Sequence, residues 1–240
     1  MEHLANIALS YGVETVKLGD LYIGGCSIRR HYQNITENLP YYEYFVNTGD
    51  GWSSTLDHAI EDTVRSEEWD IISIQHGTAD GSWYSDPVYY EHFAALVARV
   101  KALAPNAKIA FNMTWVGEPY HSHHEIVAHG GDTPLLYQKI ATLTKDLVLP
   151  TEGLDVVSPT GTAVQNARTA VDYELTRDGY HLSLGLGRYI AALTFFKALT
   201  GADIRAVSWK PDDVSAEQQK LAIAAAEAAI DNPFSVTAMV

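Results

Sequence analysis

The sequence predicts an α/β fold built on a mainly parallel sheet, and three observations carry that prediction. Helical and strand patterns alternate along the chain, as in a succession of β–α units. The strand patterns are short apolar runs bounded by turn residues, as in Asp70-Ile71-Ile72-Ser73-Ile74. The 240 residues, 47% of them hydrophobic, suit one domain with a substantial core, and no repeat or linker divides 1–240.

The elements follow in order. Met1, Leu4, Ile7, Ala8 and Tyr11 recur at helical spacing, with Gly12 placed to end the helix. Residues 16–23 read as a strand running into the turn Gly24-Gly25, and residues 55–66 as a helix. A buried strand spans 69–75, and Asp86-Pro87 starts a helix that runs to Leu103, ahead of Ala104-Pro105-Asn106. The next strand is 108–115, and a polar, histidine-rich loop follows from Val116 to Asp132. Thr133-Pro134 opens a helix ending near Leu149, and 154–158 is the last short strand. A helix opening at Asp178-Gly179-Tyr180-His181 extends to about Leu199 before Gly201, and an alanine-rich helix over 215–230 closes the chain.

Charge and composition narrow the function classes. The 16 basic and 30 acidic residues give a formal charge of -14, a field that repels phosphate backbones and anionic membranes. Neither nucleic acid nor a membrane is an expected partner. Cys26 is the one cysteine, so no intrachain disulfide forms. No run reaches the length of a membrane-spanning helix, and no export signal opens the sequence. As written, the chain reads as cytoplasmic, unless a leader lies upstream of Met1.

Open α/β sheets bind ligands at the carboxyl ends of their strands. Here those ends carry Gly24-Gly25-Cys26-Ser27, Gln75-His76-Gly77, Asn112-Met113-Thr114-Trp115 and Pro159-Thr160-Gly161-Thr162. The most telling segment is Asp178-Gly179-Tyr180-His181. An aspartate three residues before a histidine can orient the ring and stabilise its protonated form, or serve only as a helix cap.

Taken together, these segments resemble the SGNH, or GDSL-type, hydrolases, and within them a bacterial branch of unknown function related to carbohydrate esterases and deacetylases. The resemblance rests on Leu21-Tyr22-Ile23-Gly24-Gly25-Cys26-Ser27 with His31, the 69–75 strand, Met113-Thr114-Trp115, Pro159-Thr160-Gly161-Thr162-Ala163 with Asn166-Ala167-Arg168, and Asp178-Gly179-Tyr180-His181-Leu182-Ser183 with Gly187-Arg188-Tyr189. It covers the chain to about Ile204. It implies a three-layer α/β/α, flavodoxin-like domain and serine-dependent hydrolysis of an ester, such as an O-acetyl group on a carbohydrate. By the same resemblance His181 is the general base, Asp178 its orienting carboxylate, and Gly25 N–H and the Gln75 amide the oxyanion donors.

The family's nucleophile turn, of the type Gly-Asn-Ser-Phe-Ser, has no counterpart in the sequence. Met1-Glu2-His3-Leu4-Ala5 resembles the stretch just after it, so the resemblance places the nucleophilic serine upstream of Met1 and leaves the sheet without its first strand. Ser27 and Cys26 are the in-chain alternatives.

His76, Trp115 and Ser27 are expected substrate contacts, and no metal or organic cofactor is required. The cluster His121-Ser122-His123-His124-Glu125 with His129 invites a metal reading, set against a solvated loop or a rim that touches substrate. Aromatic residues are dense in the loops, among them Tyr32, Tyr41, Tyr42, Tyr44, Trp52 and Tyr120, as in a sugar-binding cleft or in ordinary packing. The competing function is a noncatalytic carbohydrate-binding or regulatory remnant of the same fold.

Overall fold

A computed structural model describes residues 3–49, 51–76 and 88–239. In chain order its elements are α1 (Leu4–Tyr11), β1 (Leu18–Tyr22), α2 (Ile28–Thr36), β2 (Tyr42–Asn47), β3 (Trp52–His58), α3 (Ile60–Arg65), β4 (Ile71–Ile74) and α4 (Tyr89–Leu103). They continue with β5 (Lys108–Asn112), α5 (His124–Ala128), α6 (Thr133–Leu143), β6 (Val156–Ser158), α7 (Thr160–Arg168), α8 (Leu186–Thr200) and α9 (Ala216–Asp231). The protein is mixed α/β, and its chain divides into two compact units, one formed by Thr15–Phe111 with Leu143–Val157 and the other by Met1–Glu14, Asn112–Thr142 and Ser158–Val240.

The unit built on Thr15–Phe111 carries the strands. Ile71 to Ile74 of β4 run parallel to Lys108 to Phe111 of β5, and β6 lies on the other side of β5. Asp155 ties that edge, since its backbone N–H donates to the Ile109 carbonyl and its carboxylate accepts from the Ile109 N–H. Phe93 and Val97 of α4 and Ile109 and Phe111 of β5 are buried, and the Phe93 ring meets Phe111 edge-on at 5.3 Å. The Asp86-Pro87 helix start lies outside the described residues, but α4 ends at Leu103, where Ala104-Pro105 cannot extend it.

The second sheet corrects the expectation of one mainly parallel sheet. β1 pairs antiparallel with β2, from Leu18 opposite Asn47 to Tyr22 opposite Glu43, and β2 pairs antiparallel with β3. Residues 55–58, expected to be helical, belong to β3, and the helix there is only α3. The cause is local. Gly49 and Gly51 both sit at a φ of 112°, which reverses the chain between two strand-forming runs.

The other unit is helical. Gly12 and Gly201, at φ of 107° and 72°, end α1 and α8 in the left-handed conformation. Ser215 and Gln218 form a capping box on α9. The alanines at 222, 225, 226 and 229 are fully buried, and their small side chains let α9 lie close to α7 and α8.

Two expectations change in this unit. Thr160-Gly161-Thr162 is not a strand-end loop but the first turn of α7. A Cβ on Gly161 would stand 2.0 Å from the Thr114 carbonyl oxygen, so only glycine lets α7 press against the chain leaving β5. Asp178 does not open α8, which begins at Leu186, because Ser183 reaches forward to accept from the Gly187 N–H. Among the described residues no helix is long and apolar enough to cross a membrane.

Candidate functional site

Asp178 and His181 occupy the tip of a tight turn. Its two arms are joined by Arg177 N–H donating to the His181 carbonyl at 2.8 Å and by Ser183 N–H donating to the Leu175 carbonyl at 2.8 Å. Gly179 takes a φ of 80°, the left-handed step that lets the chain fold back over four residues. The Asp178 side chain closes the tip. One carboxylate oxygen accepts from the backbone N–H of Tyr180 at 3.0 Å and of His181 at 2.7 Å, and the other lies 2.8 Å from His181 Nδ1.

This geometry sets the protonation pattern. The His181 N–H, then its ring, then the Tyr180 N–H hold the Asp178 carboxyl down at about 2, so it is ionised near neutrality. An ionised carboxylate only accepts, and Nδ1 is therefore the protonated nitrogen. In the neutral ring the lone pair then sits on Nε2. The side chain is 56% exposed, so that nitrogen can reach an incoming group. The pair can act as a general base whose orientation is set by its own turn.

The chain leaving β5 holds this turn from outside. Trp115 donates its indole N–H to the Tyr180 carbonyl at 2.8 Å, and Glu118 donates its backbone N–H to the Gly179 carbonyl at 2.6 Å. A Cβ on Gly117 would stand 2.8 Å from the Gly179 oxygen, so the close approach of the two segments requires glycine there. The Tyr180 ring is buried and stacks on His121 and His123, with centroids 4.9 and 4.8 Å away and both planes within 16°. The histidine-rich segment is thus a packing partner of the turn. His121 Nδ1 accepts from the His123 N–H, and His123 Nδ1 from the Glu125 N–H at the start of α5. Among the described residues no group of three or more His, Cys, Asp and Glu is placed to hold a metal ion.

Behind this segment stands an ion pair. Arg168, in the last turn of α7, bonds the Glu118 carboxylate at 2.7 Å and the Val116 carbonyl at 2.9 Å, and Thr176 donates to the same carboxylate at 3.1 Å. Asn166, two residues earlier on a buried face, bonds Ala225 O and the Thr237 N–H. α7 therefore serves as a brace that links the turn's support to the helical core.

The remaining predicted site residues belong to the other unit, apart from Trp115, whose indole N–H is engaged as above. Gly25 adopts a φ of 63° in the turn after β1. Ser27 caps α2, its hydroxyl accepting from the Arg30 N–H at 3.1 Å, and Cys26 beside it is buried. Gln75 is exposed, and its backbone carbonyl bonds the His31 ring. His76 is 1% exposed, stacked on Phe111 and edge-on to Tyr89, whose hydroxyl lies 3.3 Å from His76 Nδ1. Burial, reinforced by His31, pushes His76 down to about 3. Burial likewise pushes His31, bonded through Nδ1 to the Tyr42 hydroxyl at 2.7 Å, down to about 4. Both rings are neutral, and the buried His76 is closed to a substrate in this conformation.

Sequence reasoning missed Gly117 and Glu118, and it read Tyr180 only as part of the Asp178–His181 motif. The available signal was Gly117, two residues after Met113-Thr114-Trp115, since a glycine following an apolar strand marks a close backbone approach.

A family model described as a domain of unknown function (DUF4886) matches residues 1–229. The crystal structure of a DUF4886 family protein from Bacteroides uniformis ATCC 8492 superposes with a TM-score of 0.90 at 31% identity, covering 98% of this chain and 91% of that one. No curated protein matches the chain.

Proposed function

This chain belongs to the DUF4886 family, and from that premise we propose that it is a serine-dependent ester hydrolase of the SGNH type, acting on O-acetyl groups of a carbohydrate within a flavodoxin-like fold. The observation that carries the reading is the Asp178–His181 pair, with an ionised carboxylate fixing Nδ1–H at 2.8 Å and the opposite nitrogen free to take a proton.

In this reading His181 Nε2 accepts the proton of the serine hydroxyl that the resemblance places ahead of α1. The serine oxygen attacks the acetyl carbonyl and forms a tetrahedral oxyanion. Collapse breaks the bond to the sugar oxygen, which takes its proton from the imidazolium and leaves as the free alcohol. Water, deprotonated by His181, then releases acetate and regenerates the serine. Asp178 stabilises the imidazolium in both halves. Such an oxyanion calls for preorganised N–H donors that act on the charge as it develops.

The test is acetate release from an acetylated oligosaccharide by protein made from the full reading frame. His181→Ala should lower turnover by about 10²-fold or more, the contribution of a positioned general base. Unchanged turnover rejects the assignment. Labelling by a fluorophosphonate probe reports the serine separately, and absence of labelling together with absence of turnover selects the noncatalytic binding module.

A further inference from the structure

We propose that the end of the antiparallel sheet bearing Tyr22, Glu43, Leu56 and Asp57 is a binding site for a neutral pyranose sugar, with Tyr41 and Arg30 completing its wall. These six residues line one open groove of about 510 Å³, a size ordinary for small-ligand sites. The whole groove lies within the unit built on Thr15–Phe111.

The sheet register builds it. Tyr42 pairs with His58 and Tyr44 with Thr55, so the single residue Glu43 faces two residues of β3, Leu56 and Asp57. This is a β-bulge, and bulges re-aim side chains at sheet ends and ligand sites. Asp57 takes a φ of 64°, a conformation that costs a non-glycine residue stability and recurs at ligand sites. Tyr22 lies beside Glu43 in the β1–β2 register, and Phe45 meets its ring edge-on at 6.1 Å.

The surface so formed is unusual for solvent-facing residues. Tyr22, Tyr41 and Leu56 are 53%, 59% and 69% exposed, yet they border charged groups of both signs. Flat rings pack on the C–H faces of a pyranose. A carboxylate accepts from adjacent sugar hydroxyls, and a guanidinium donates to them in a fixed fork. One guanidinium against the two carboxylates of Glu43 and Asp57 leaves the groove net negative, within a chain of formal charge -14. That balance excludes a uronate or phosphosugar and selects a neutral one.

Binding is measured by titration calorimetry with xylotetraose, cellotetraose and mannotetraose, and with trigalacturonate as the anionic comparison. At least one neutral tetrasaccharide should bind and trigalacturonate should not. Tyr41→Ala should weaken binding about tenfold, from loss of a stacking face worth about 1.4 kcal/mol. Tyr41→Phe keeps the face and should keep the affinity, while Asp57→Asn should weaken it. His181→Ala should bind like the parent protein, so failure of this proposal and failure of the hydrolase reading are separable. Absence of binding by all three neutral sugars, preference for trigalacturonate, or equal affinity after Tyr41→Ala would each overturn it. Tyr41 is exposed, so an unchanged melting temperature is expected to show that the variant is folded.

Discussion

Acidification from pH 8 to pH 5 should destabilise the protein through His31 and His76. The folded state holds His76 at about 3 and His31 at about 4, against 6.5 for a free imidazole. Each folded pKa lies below its unfolded value, so the unfolded chain takes up protons first as the pH falls. The stability these neutral rings supply is complete above about pH 6.5 and drains away below it, until the folded pKa is reached. At pH 5, some 1.5 units below the unfolded pKa, the loss is about 2 kcal/mol for His76, at 1.36 kcal/mol per unit. His31, with part of its surface open to water, adds at most a similar amount. Native carboxylates with lowered values, such as Asp178 at about 2, lose their contribution only at lower pH, so they do not obscure this window. The assay is urea unfolding followed by circular dichroism at pH 8, 6.5 and 5. His76→Gln keeps a neutral polar group, so it should lower stability at pH 8 yet flatten the pH dependence by about half. Equal stability at pH 8 and pH 5 in the parent protein, or an undiminished slope in His76→Gln, would refute the reasoning.

Two further outcomes concern the support of the Asp178–His181 turn. Gly117→Ala places a methyl 2.8 Å from the Gly179 oxygen and from the Tyr180 ring. It should cost about 1–3 kcal/mol by overpacking, and lower kcat on an acetyl ester with KM little changed; an unaltered melting curve would show that the two segments can separate freely. Arg168→Met strips the partner from the largely buried Glu118 carboxylate and should cost about 2–4 kcal/mol in urea unfolding. Adding Glu118→Gln should recover part of that loss, and a double variant no better than the single would count against the ion pair as the brace.

The legible parts of the fold were those encoded by neighbours in sequence. Gly12 and Gly201 end their helices where glycine was expected to, and Ile71-Ile72-Ser73-Ile74 form a parallel strand, though of the four only Ile74 is buried. The Asp178–His181 bond was legible for the same reason, because a three-residue spacing lets one carboxylate meet both the ring and the backbone of its own turn. What escaped depends on pairing at a distance. Tyr42–Asn47 and Trp52–His58 become strands because each completes the other across a glycine turn, and neither alternates cleanly enough to announce itself. α7 was hidden because its threonines, polar by type, are buried by hydrogen bonds such as Thr162 to the Pro233 carbonyl. Histidines 121 and 123, read in the sequence as a solvated loop or substrate rim set against metal ligands, instead stack their rings on Tyr180.

The proposed acid–base pair is confined to a single turn, and that has a kinetic consequence for the proposed reaction. Where an aspartate and a histidine come from distant elements, their meeting must wait for those elements to dock. Here the span from carboxylate to ring is four residues, and Gly179 already sets the bend. Closing even a ten-residue loop takes only about 10–100 ns, so a thermal opening of this tip should heal far faster than a catalytic cycle. Its geometry would then be an equilibrium property of the turn, renewed many times within each turnover, and the brace behind it would act by raising the fraction of time spent closed.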